Sequence, residues 1–253
     1  MSNERQQRAA RAEQMRKERE KADRRQRNLI TVAIVVVVVA LVGAAAFAIN
    51  KTSNANETED SVINPANTTK FGVVYDTEAA TGKPATAPVT VVAYEDFQCP
   101  ACLNFEQQSG AFLADAVASG EISIEYRPIA FFDRQSNGNR YSSRAGSAAL
   151  CVLDEGGVDA FKKMHDILYA NQPAEGTNGR PDGDLIDYAE QAGVTGIDSC
   201  IKSERYVPWL EKATDASRDD KVSETPWVII DGKHIDTPSV ENLKKAIEAA
   251  KQA

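Results

Sequence analysis

The sequence is short of the residue types that build metal centres, since its 253 residues include only two histidines and four cysteines. Cys99 and Cys102 form a CxxC pair, whereas the other two cysteines are isolated from each other and from the pair. A structural zinc site usually needs a second close pair, or histidines beside the first. His165, expected on a helix surface, and His234, expected on a strand, show no ligand spacing. The sequence therefore predicts no metal site and leaves the CxxC pair to thiol chemistry.

No charged residue interrupts the apolar stretch 29–49. About 20 apolar residues are enough to cross a bilayer core as a helix. Residues 1–28 carry ten Lys and Arg against five acidic residues, and basic residues beside a spanning segment tend to stay in the cytoplasm. We expect a basic cytoplasmic tail (1–28), a single transmembrane helix (29–49) in the cell membrane, and an extracytoplasmic remainder. A cleaved signal peptide is the alternative.

Aromatic residues are missing from the basic tail, so the sequence gives no support for a nucleic-acid partner. Residues 50–70 lack apolar periodicity and are predicted to form a flexible linker. Residues 71–253 then follow the order strand, strand, helix, strand, helical block, hairpin, helix. The helical block spans about 137–221 and contains no convincing strand. The fold class is α/β, with an all-helical insertion.

Three local signals set boundaries within this domain. Ser109 and Gly110 predict a bend in the helix that follows the CxxC pair. Asp231-Gly232 predicts a type I′ hairpin between two short strands. Thr237 as N-cap and Pro238 at the first position predict the start of the last helix.

Cys99 is placed where a β-branched strand pattern ends and a helix begins. A helix N-terminus has unpaired N–H groups and a partial positive charge, so it stabilises an anion. A thiolate on Cys99 would therefore form more readily than on a free cysteine, and would be a good leaving group in disulfide exchange. Pro100 suits the first helical turn because its missing N–H would be unpaired there. A purely structural CxxC disulfide is the alternative.

The segment from Tyr94 to Cys102, YEDFQCPAC, resembles the active site of the DsbA-like branch of the thioredoxin superfamily. It is most similar to membrane-tethered proteins of Gram-positive actinobacteria. The resemblance implies a thioredoxin fold with an inserted helical subdomain. It also implies that Thr225-Pro226 is the cis-proline loop facing the CxxC pair, although without it an ordinary trans proline would be expected.

Two positions depart from the family pattern. Ala101 stands where many members have histidine inside the CxxC motif, which implies a less extreme oxidant. Ala93 stands where the superfamily usually has its buried acid, six residues before the first cysteine. Glu95 or Asp96 would then serve for proton transfer to the second cysteine, with solvated loop charges as the alternative.

Cys151 and Cys200 both fall in the helical block, where a structural disulfide is expected in an oxidising compartment; two buried free thiols are the alternative. The predicted function is a dithiol oxidase that introduces disulfides into exported proteins, with no cofactor beyond the redox-active pair Cys99 and Cys102. The resemblance implies unfolded exported polypeptides as substrates and a quinone-linked membrane partner that reoxidises the enzyme. A monomer is expected. The alternatives are a tethered isomerase or reductase, and a non-catalytic chaperone or binding module.

Overall fold

The structure is a computed structural model that describes residues 62–85 and 89–252. The predicted basic tail and the predicted transmembrane helix at 29–49 lie outside the described residues. Among the helices of the described ranges, none combines the length and the apolar character that a membrane crossing requires.

A six-stranded mixed sheet forms the centre of the domain, with the strand order β1-β2-β4-β3-β5-β6. Strands β3 and β4 are parallel, whereas β2 pairs with β4, and β5 with β3, in antiparallel orientation. The strands are β1 (Thr68–Thr69), β2 (Gly72–Tyr75), β3 (Val89–Glu95), β4 (Ile122–Pro128), β5 (Trp227–Ile230) and β6 (Lys233–His234).

Strand β3 is central, and both its neighbours hydrogen-bond to it along most of its length. Its sequence VTVVAYE is rich in β-branched and aromatic residues, which suit a strand covered on both faces. The chain leaves β3 at its carboxyl end and reaches Cys99 four residues later. The reactive pair is thereby attached to the most firmly held strand of the sheet.

Seven α-helices and one 3-10 turn complete the described part of the chain. They are α1 (Thr77–Thr81), α2 (Pro100–Ala118), the 3-10 turn (Asp133–Ser136), α3 (Tyr141–Ala170), α4 (Asp182–Gln191), α5 (Asp198–Lys202), α6 (Val207–Ala216) and α7 (Val240–Ala250). Helices α3 to α6 follow one another without an intervening strand and form the expected helical insertion between β4 and β5.

One predicted helix interruption differs from the structure. Helix α2 runs without a break through Ser109 and Gly110, because the Ser109 side chain is buried and its hydroxyl lies 3.4 Å from the Pro238 carbonyl oxygen. Within α3 the backbone is non-helical at Gly157, so this element consists of two helical segments joined at a kink. Gly157 has a φ of 76°, which a residue with a Cβ rarely adopts.

Two predicted boundaries are also wrong. Ordered structure begins before residue 71, because β1 pairs with β2 through a turn in which Lys70 and Phe71 both have positive φ. Neither of these two residues is glycine or asparagine, so no local signal marks that turn. The last helix begins after Ser239 rather than Thr237, since the Ser239 hydroxyl accepts the Asn242 N–H and caps the helix. The predicted hairpin at Asp231-Gly232 is confirmed, with φ values of 50° and 70°.

Candidate active site

Cys99 and Cys102 are both free thiols in this structure, and both are buried. Cys99 is the N-cap residue of α2, and Pro100 occupies its first turn. The sequence folds this way because the strand ends at Glu95, and the Asp96 carbonyl then accepts the Cys99 N–H in a tight turn. The side chain of Cys99 is 2% exposed, so a partner molecule reaches only a small part of its sulfur.

The surroundings of Cys99 favour its thiolate. The pKa of Cys99 is lowered to about 6, chiefly by a hydrogen bond from the Cys102 thiol. Burial opposes this effect, while Thr225 and the backbone N–H groups of Cys102 and Ala101 add to it. The N–H groups belong to the first turn of α2, which is the contribution that its helix position predicts.

Cys102 has the opposite character. Burial is the main cause that raises the pKa of its thiol, and the hydrogen bond it gives to Cys99 raises it further. The negative charge of Glu95 acts in the same direction. One thiol of the pair is therefore ready to ionise near neutral pH, and the other holds its proton.

The Thr225-Pro226 peptide bond is cis, as the family resemblance implies. It precedes β5 and places the Thr225 carbonyl oxygen 3.2 Å from the Cys99 sulfur. A small groove of about 210 Å³ opens beside this contact. Ala101 and Phe105 from α2 line one side of the groove, and Pro226 lines the other.

Glu95 and Asp96 are both buried, so neither is a solvated loop charge. The two oxygens of Asp96 accept the Gln98 N–H at 2.8 Å and the Phe132 N–H at 2.9 Å. Burial raises the pKa of Asp96 to about 7, against the effect of these hydrogen bonds. Asp96 thus joins the loop before Cys99 to the loop after β4. Glu95 is the acid whose charge acts on Cys102.

His165 was expected on a helix surface, and this prediction is wrong, because its side chain is 2% exposed. Its Nε2 lies 3.0 Å from Glu95 Oε2, and its Nδ1 lies 3.2 Å from Asp166 Oδ1. Burial disfavours the charged imidazole, but the hydrogen bonds to Asp166 and Glu95 outweigh it and raise the pKa of His165 to about 9. The sequence does hold a signal, since Phe161, His165 and Tyr169 recur every four residues on one helix face.

Sequence reasoning also missed Glu106 and Gln172. Burial is the main cause that raises the pKa of Glu106 to about 7, and the charge of Glu95 adds to it. Its position four residues after Cys102 on α2 would have placed it on the same helix face. Gln172 follows the end of α3 and donates from Nε2 to the carbonyl oxygens of Phe97, at 3.1 Å, and Cys99, at 3.0 Å. No sequence pattern pointed to that contact.

Three residues of this region have side-chain donor atoms spaced closely enough to hold a metal ion. One donor atom each from Glu95, Glu106 and His165 lies within 4.8 Å of the others. Both ring nitrogens of His165 already face carboxylate oxygens, and its raised pKa favours the protonated ring, which cannot ligate a metal. The geometry therefore describes an ion-pair cluster.

The second cysteine pair lies away from this centre, in the helical insertion. Cys151 in α3 and Cys200 in α5 form a disulfide with a Cα–Cα distance of 6.1 Å. The bond closes a segment of 49 positions and joins two inserted helices, as expected from their place in the sequence.

A comparison with protein-family models gives a match over residues 75–249 to a family described as Thioredoxin. The chain belongs to the thioredoxin family. Its fold is accordingly a thioredoxin fold with a helical insertion. Among curated proteins, this thioredoxin-family chain is 31% identical over 137 residues to the serine/threonine-protein kinase PknE of Mycobacterium tuberculosis. That match covers 52% of the chain but only 24% of the kinase, so the chain spans about a quarter of this relative's length.

Solved structures give longer matches for this thioredoxin-family chain. It is 32% identical to the reduced form of the disulfide bond oxidoreductase DsbG from Mycobacterium tuberculosis, with a TM-score of 0.62, covering 77% of this chain and 92% of that one. It is 31% identical to reduced DsbA from the same organism, with a TM-score of 0.57, covering 71% and 99% of the two chains. Both matches extend over nearly the whole of the solved relatives.

Proposed function

We propose that the chain is an extracytoplasmic thiol–disulfide oxidoreductase that introduces disulfide bonds into exported proteins. The observation that carries this proposal is the asymmetry of the CPAC pair. The pKa of Cys99 falls to about 6 while that of Cys102 rises. The similarity to DsbG and DsbA of Mycobacterium tuberculosis supports the same chemistry.

The reaction begins with the disulfide between Cys99 and Cys102. A substrate thiolate attacks the Cys99 sulfur and forms a mixed disulfide, and Cys102 leaves and takes up a proton. A second substrate thiolate then attacks the substrate sulfur of that mixed disulfide and expels Cys99 as a stabilised thiolate. Two electrons pass from the substrate to the pair, and the substrate gains one disulfide.

Unfolded exported polypeptides are the substrates that suit this site. The Thr225 carbonyl and the adjoining groove offer an extended chain a backbone acceptor and a small apolar surface beside the sulfur. Such contacts recognise a main chain with little regard to its sequence. A quinone-linked membrane partner would reoxidise the pair, and a membrane anchor at 29–49 would hold the enzyme close to that partner.

The experiment is an equilibrium of residues 62–253 with glutathione redox buffers, in which the fraction of the Cys99–Cys102 disulfide is counted by thiol labelling. We expect a reduction potential clearly above the ~−270 mV of thioredoxin, because the stabilised Cys99 thiolate favours the reduced pair. A potential at or below that value would contradict an oxidase and favour a reductase. A C99S variant that still supports disulfide formation in cells would favour the binding module.

A further inference from the structure

Gln172 connects the end of the helical insertion to the loop that carries the reactive thiol. Its side-chain Nε2 lies 3.1 Å from the Phe97 carbonyl oxygen and 3.0 Å from the Cys99 carbonyl oxygen. Phe97 and Cys99 are both 2% exposed, whereas Gln172 is only partly buried. A single side-chain amide thereby fixes two peptide groups of the loop between β3 and α2.

The Cys99 carbonyl oxygen is approached by three donors. Besides Gln172 Nε2, the backbone nitrogens of Cys102 and Leu103 lie 3.1 Å and 3.2 Å from it. A carbonyl oxygen has two lone pairs, so one of the three donors can leave without a loss of pairing at the oxygen. The first turn of α2 therefore has a spare donor beside the reactive sulfur.

Ionisation of Cys99 changes the hydrogen bonds that its sulfur can make. In the thiol form the sulfur donates to the Thr225 carbonyl oxygen at 3.2 Å, while the Cys102 N–H stays with the Cys99 carbonyl. A thiolate has no proton to donate and instead accepts N–H groups, as an N-cap side chain does from the second and third helical residues. Those residues are Ala101 and Cys102, whose N–H groups favour the thiolate.

We propose that Gln172 is a positioning residue for the reactive thiol: its amide stays on the Cys99 carbonyl when the Cys102 N–H turns to the thiolate. Without that amide, the same turn would leave the carbonyl with the Leu103 N–H alone, so the thiolate would be stabilised less. The inference deepens the proposed function and rests on it, because the stability of the Cys99 thiolate sets how strongly the pair oxidises a substrate. Gln172 acts through main-chain groups and is not a catalytic residue.

The side chains around the sulfur make this contribution matter. Ala101 stands between the two cysteines and carries no side-chain donor. The thiolate therefore depends on the Cys102 thiol, on Thr225 and on the N–H groups of the first turn. The Cys102 N–H is one of these donors, and the Cys99 carbonyl competes for it. The amide of Gln172 reduces that competition.

The other end of the loop is held independently of Gln172. The Asp96 carboxylate accepts the Gln98 N–H at 2.8 Å, and the Asp96 carbonyl accepts the Cys99 N–H at 2.9 Å. The Tyr169 hydroxyl donates to the same carbonyl at 3.3 Å. The loop therefore keeps these contacts when the Gln172 amide is removed, and a variant at this position reports on the sulfur rather than on folding.

The test compares Q172M with the parent protein, because methionine has a similar length but no N–H donor. Ionisation of Cys99 in the reduced protein is followed by the ultraviolet absorbance of the thiolate from pH 4 to pH 8. Asp96, whose pKa burial raises to about 7, does not contribute to that signal. We expect Q172M to raise the midpoint, so that the ratio of thiolate to thiol at pH 5 falls by about threefold to tenfold. An unchanged ratio would overturn the proposal.

The rate of mixed-disulfide formation with oxidised glutathione separates this role from a loosening of the loop. The midpoint of its pH profile should shift upward together with the titration. The plateau above the midpoint should stay within about threefold of the parent value, since a thiolate of higher pKa is a slightly better nucleophile. A lower plateau with an unshifted midpoint would overturn the proposal, because Gln172 would then only order the loop.

The redox equilibrium with glutathione gives a second readout. At pH 8 the thiolate predominates, so we expect Q172M to shift the equilibrium constant toward the Cys99–Cys102 disulfide by about threefold to tenfold. A tenfold change corresponds to ~30 mV in the potential of the pair. An equilibrium constant equal to that of the parent protein would contradict the proposal.

N171A is the matched control. The Asn171 amide lies at the same helix end, but it donates to the Ile167 carbonyl of α3 at 2.9 Å. We expect N171A to keep the thiolate ratio, the plateau and the equilibrium constant within about twofold of the parent values. Equal shifts in N171A and Q172M would overturn the proposal, because disturbing the end of α3 would be enough to cause them.

Failure of the proposed function would look different. A parent protein whose potential lies at or below the ~−270 mV of thioredoxin contradicts an oxidase, but the thiolate titration of Q172M still tests the Gln172 contact. The two conclusions therefore fail in separate measurements.

Discussion

The two cysteine pairs of this protein have the same chemical groups but lie in different surroundings. Cys99 and Cys102 are three positions apart at a strand–helix junction, where one thiol is stabilised as an anion and the other keeps its proton. Cys151 and Cys200 are 49 positions apart and join two helices of the insertion. Local electrostatics separate the reactive pair from the structural one, whereas burial does not, since Cys151 is as buried as Cys99 and Cys102, and Cys200 is partly buried.

The largest expected effect follows from removing the reactive thiol. C99S removes the stabilised thiolate, so we expect the rate of disulfide formation in a reduced peptide substrate to fall by at least about 10³-fold. The double variant C151A/C200A should stay within a few-fold of the parent protein in the same assay, at a temperature where it is folded. Comparable losses in the two variants would mean that the insertion disulfide takes part in the reaction.

The second expected effect is a loss of stability when the structural pair is removed. Removing the Cys151–Cys200 bond frees a loop of 49 positions in the unfolded chain, which lowers the free energy of unfolding by about 4 kcal/mol on the chain-entropy account. Urea unfolding of C151A/C200A, with the Cys99–Cys102 pair kept reduced in both proteins, measures this loss. C99S, measured with the other two proteins at pH 5, serves as the control for removing a thiol that closes no loop, because Cys99 holds its proton in the folded and the unfolded chain at that pH. A change below about 1 kcal/mol would show that the insertion is held by packing alone.

The smallest expected effect is a pH dependence of stability that comes from the reactive pair. The pKa of Cys99 lies near 6 in the folded protein and near ~8.5 in an unfolded chain. Because the pKa of Cys99 is lower in the folded protein, its thiolate stabilises the fold fully when the pH lies above the unfolded pKa. This stabilisation is lost as the pH falls through about 6. We therefore expect the Tm of the reduced protein, relative to its Cys99–Cys102 disulfide form, to rise by about 3 °C or more between pH 5 and pH 8.

The disulfide form is the control in this measurement, because groups common to both forms largely cancel in the difference. Above about pH 8.5 the gain should stop, since Cys102 keeps its proton in the fold and would ionise in the unfolded chain. A difference in Tm that stays flat from pH 5 to pH 8 would contradict a stabilised Cys99 thiolate.

The reactive pair, its helix position and the insertion could all be predicted from the sequence, because each depends on residues that are neighbours along the chain. Cys99 and Pro100 are adjacent, and the Asp231-Gly232 turn is defined by its own two residues. The position of Thr225 beside Cys99 needed the family resemblance, because a contact across 126 positions leaves no local pattern.

The buried charges were beyond local reasoning for a related reason. His165 stands among Lys162, Lys163 and Asp166, so its neighbours suggest a solvent-facing turn. It is buried because Glu95 of β3 provides a hydrogen-bond partner that only the tertiary fold brings near. The choice between Glu95 and Asp96 was undecidable for the same reason, since successive residues at a strand end differ only in which face they meet.

Gln172 makes the shape of the reactive loop depend on the carboxyl end of α3. Its amide nitrogen serves two loop carbonyls that lie 75 and 73 positions earlier in the chain. Proteolytic cleavage just after α3 would take that donor away while leaving every cysteine intact. Cleavage within the insertion would therefore change the reactivity of Cys99, because the helical block supports the loop that carries this cysteine.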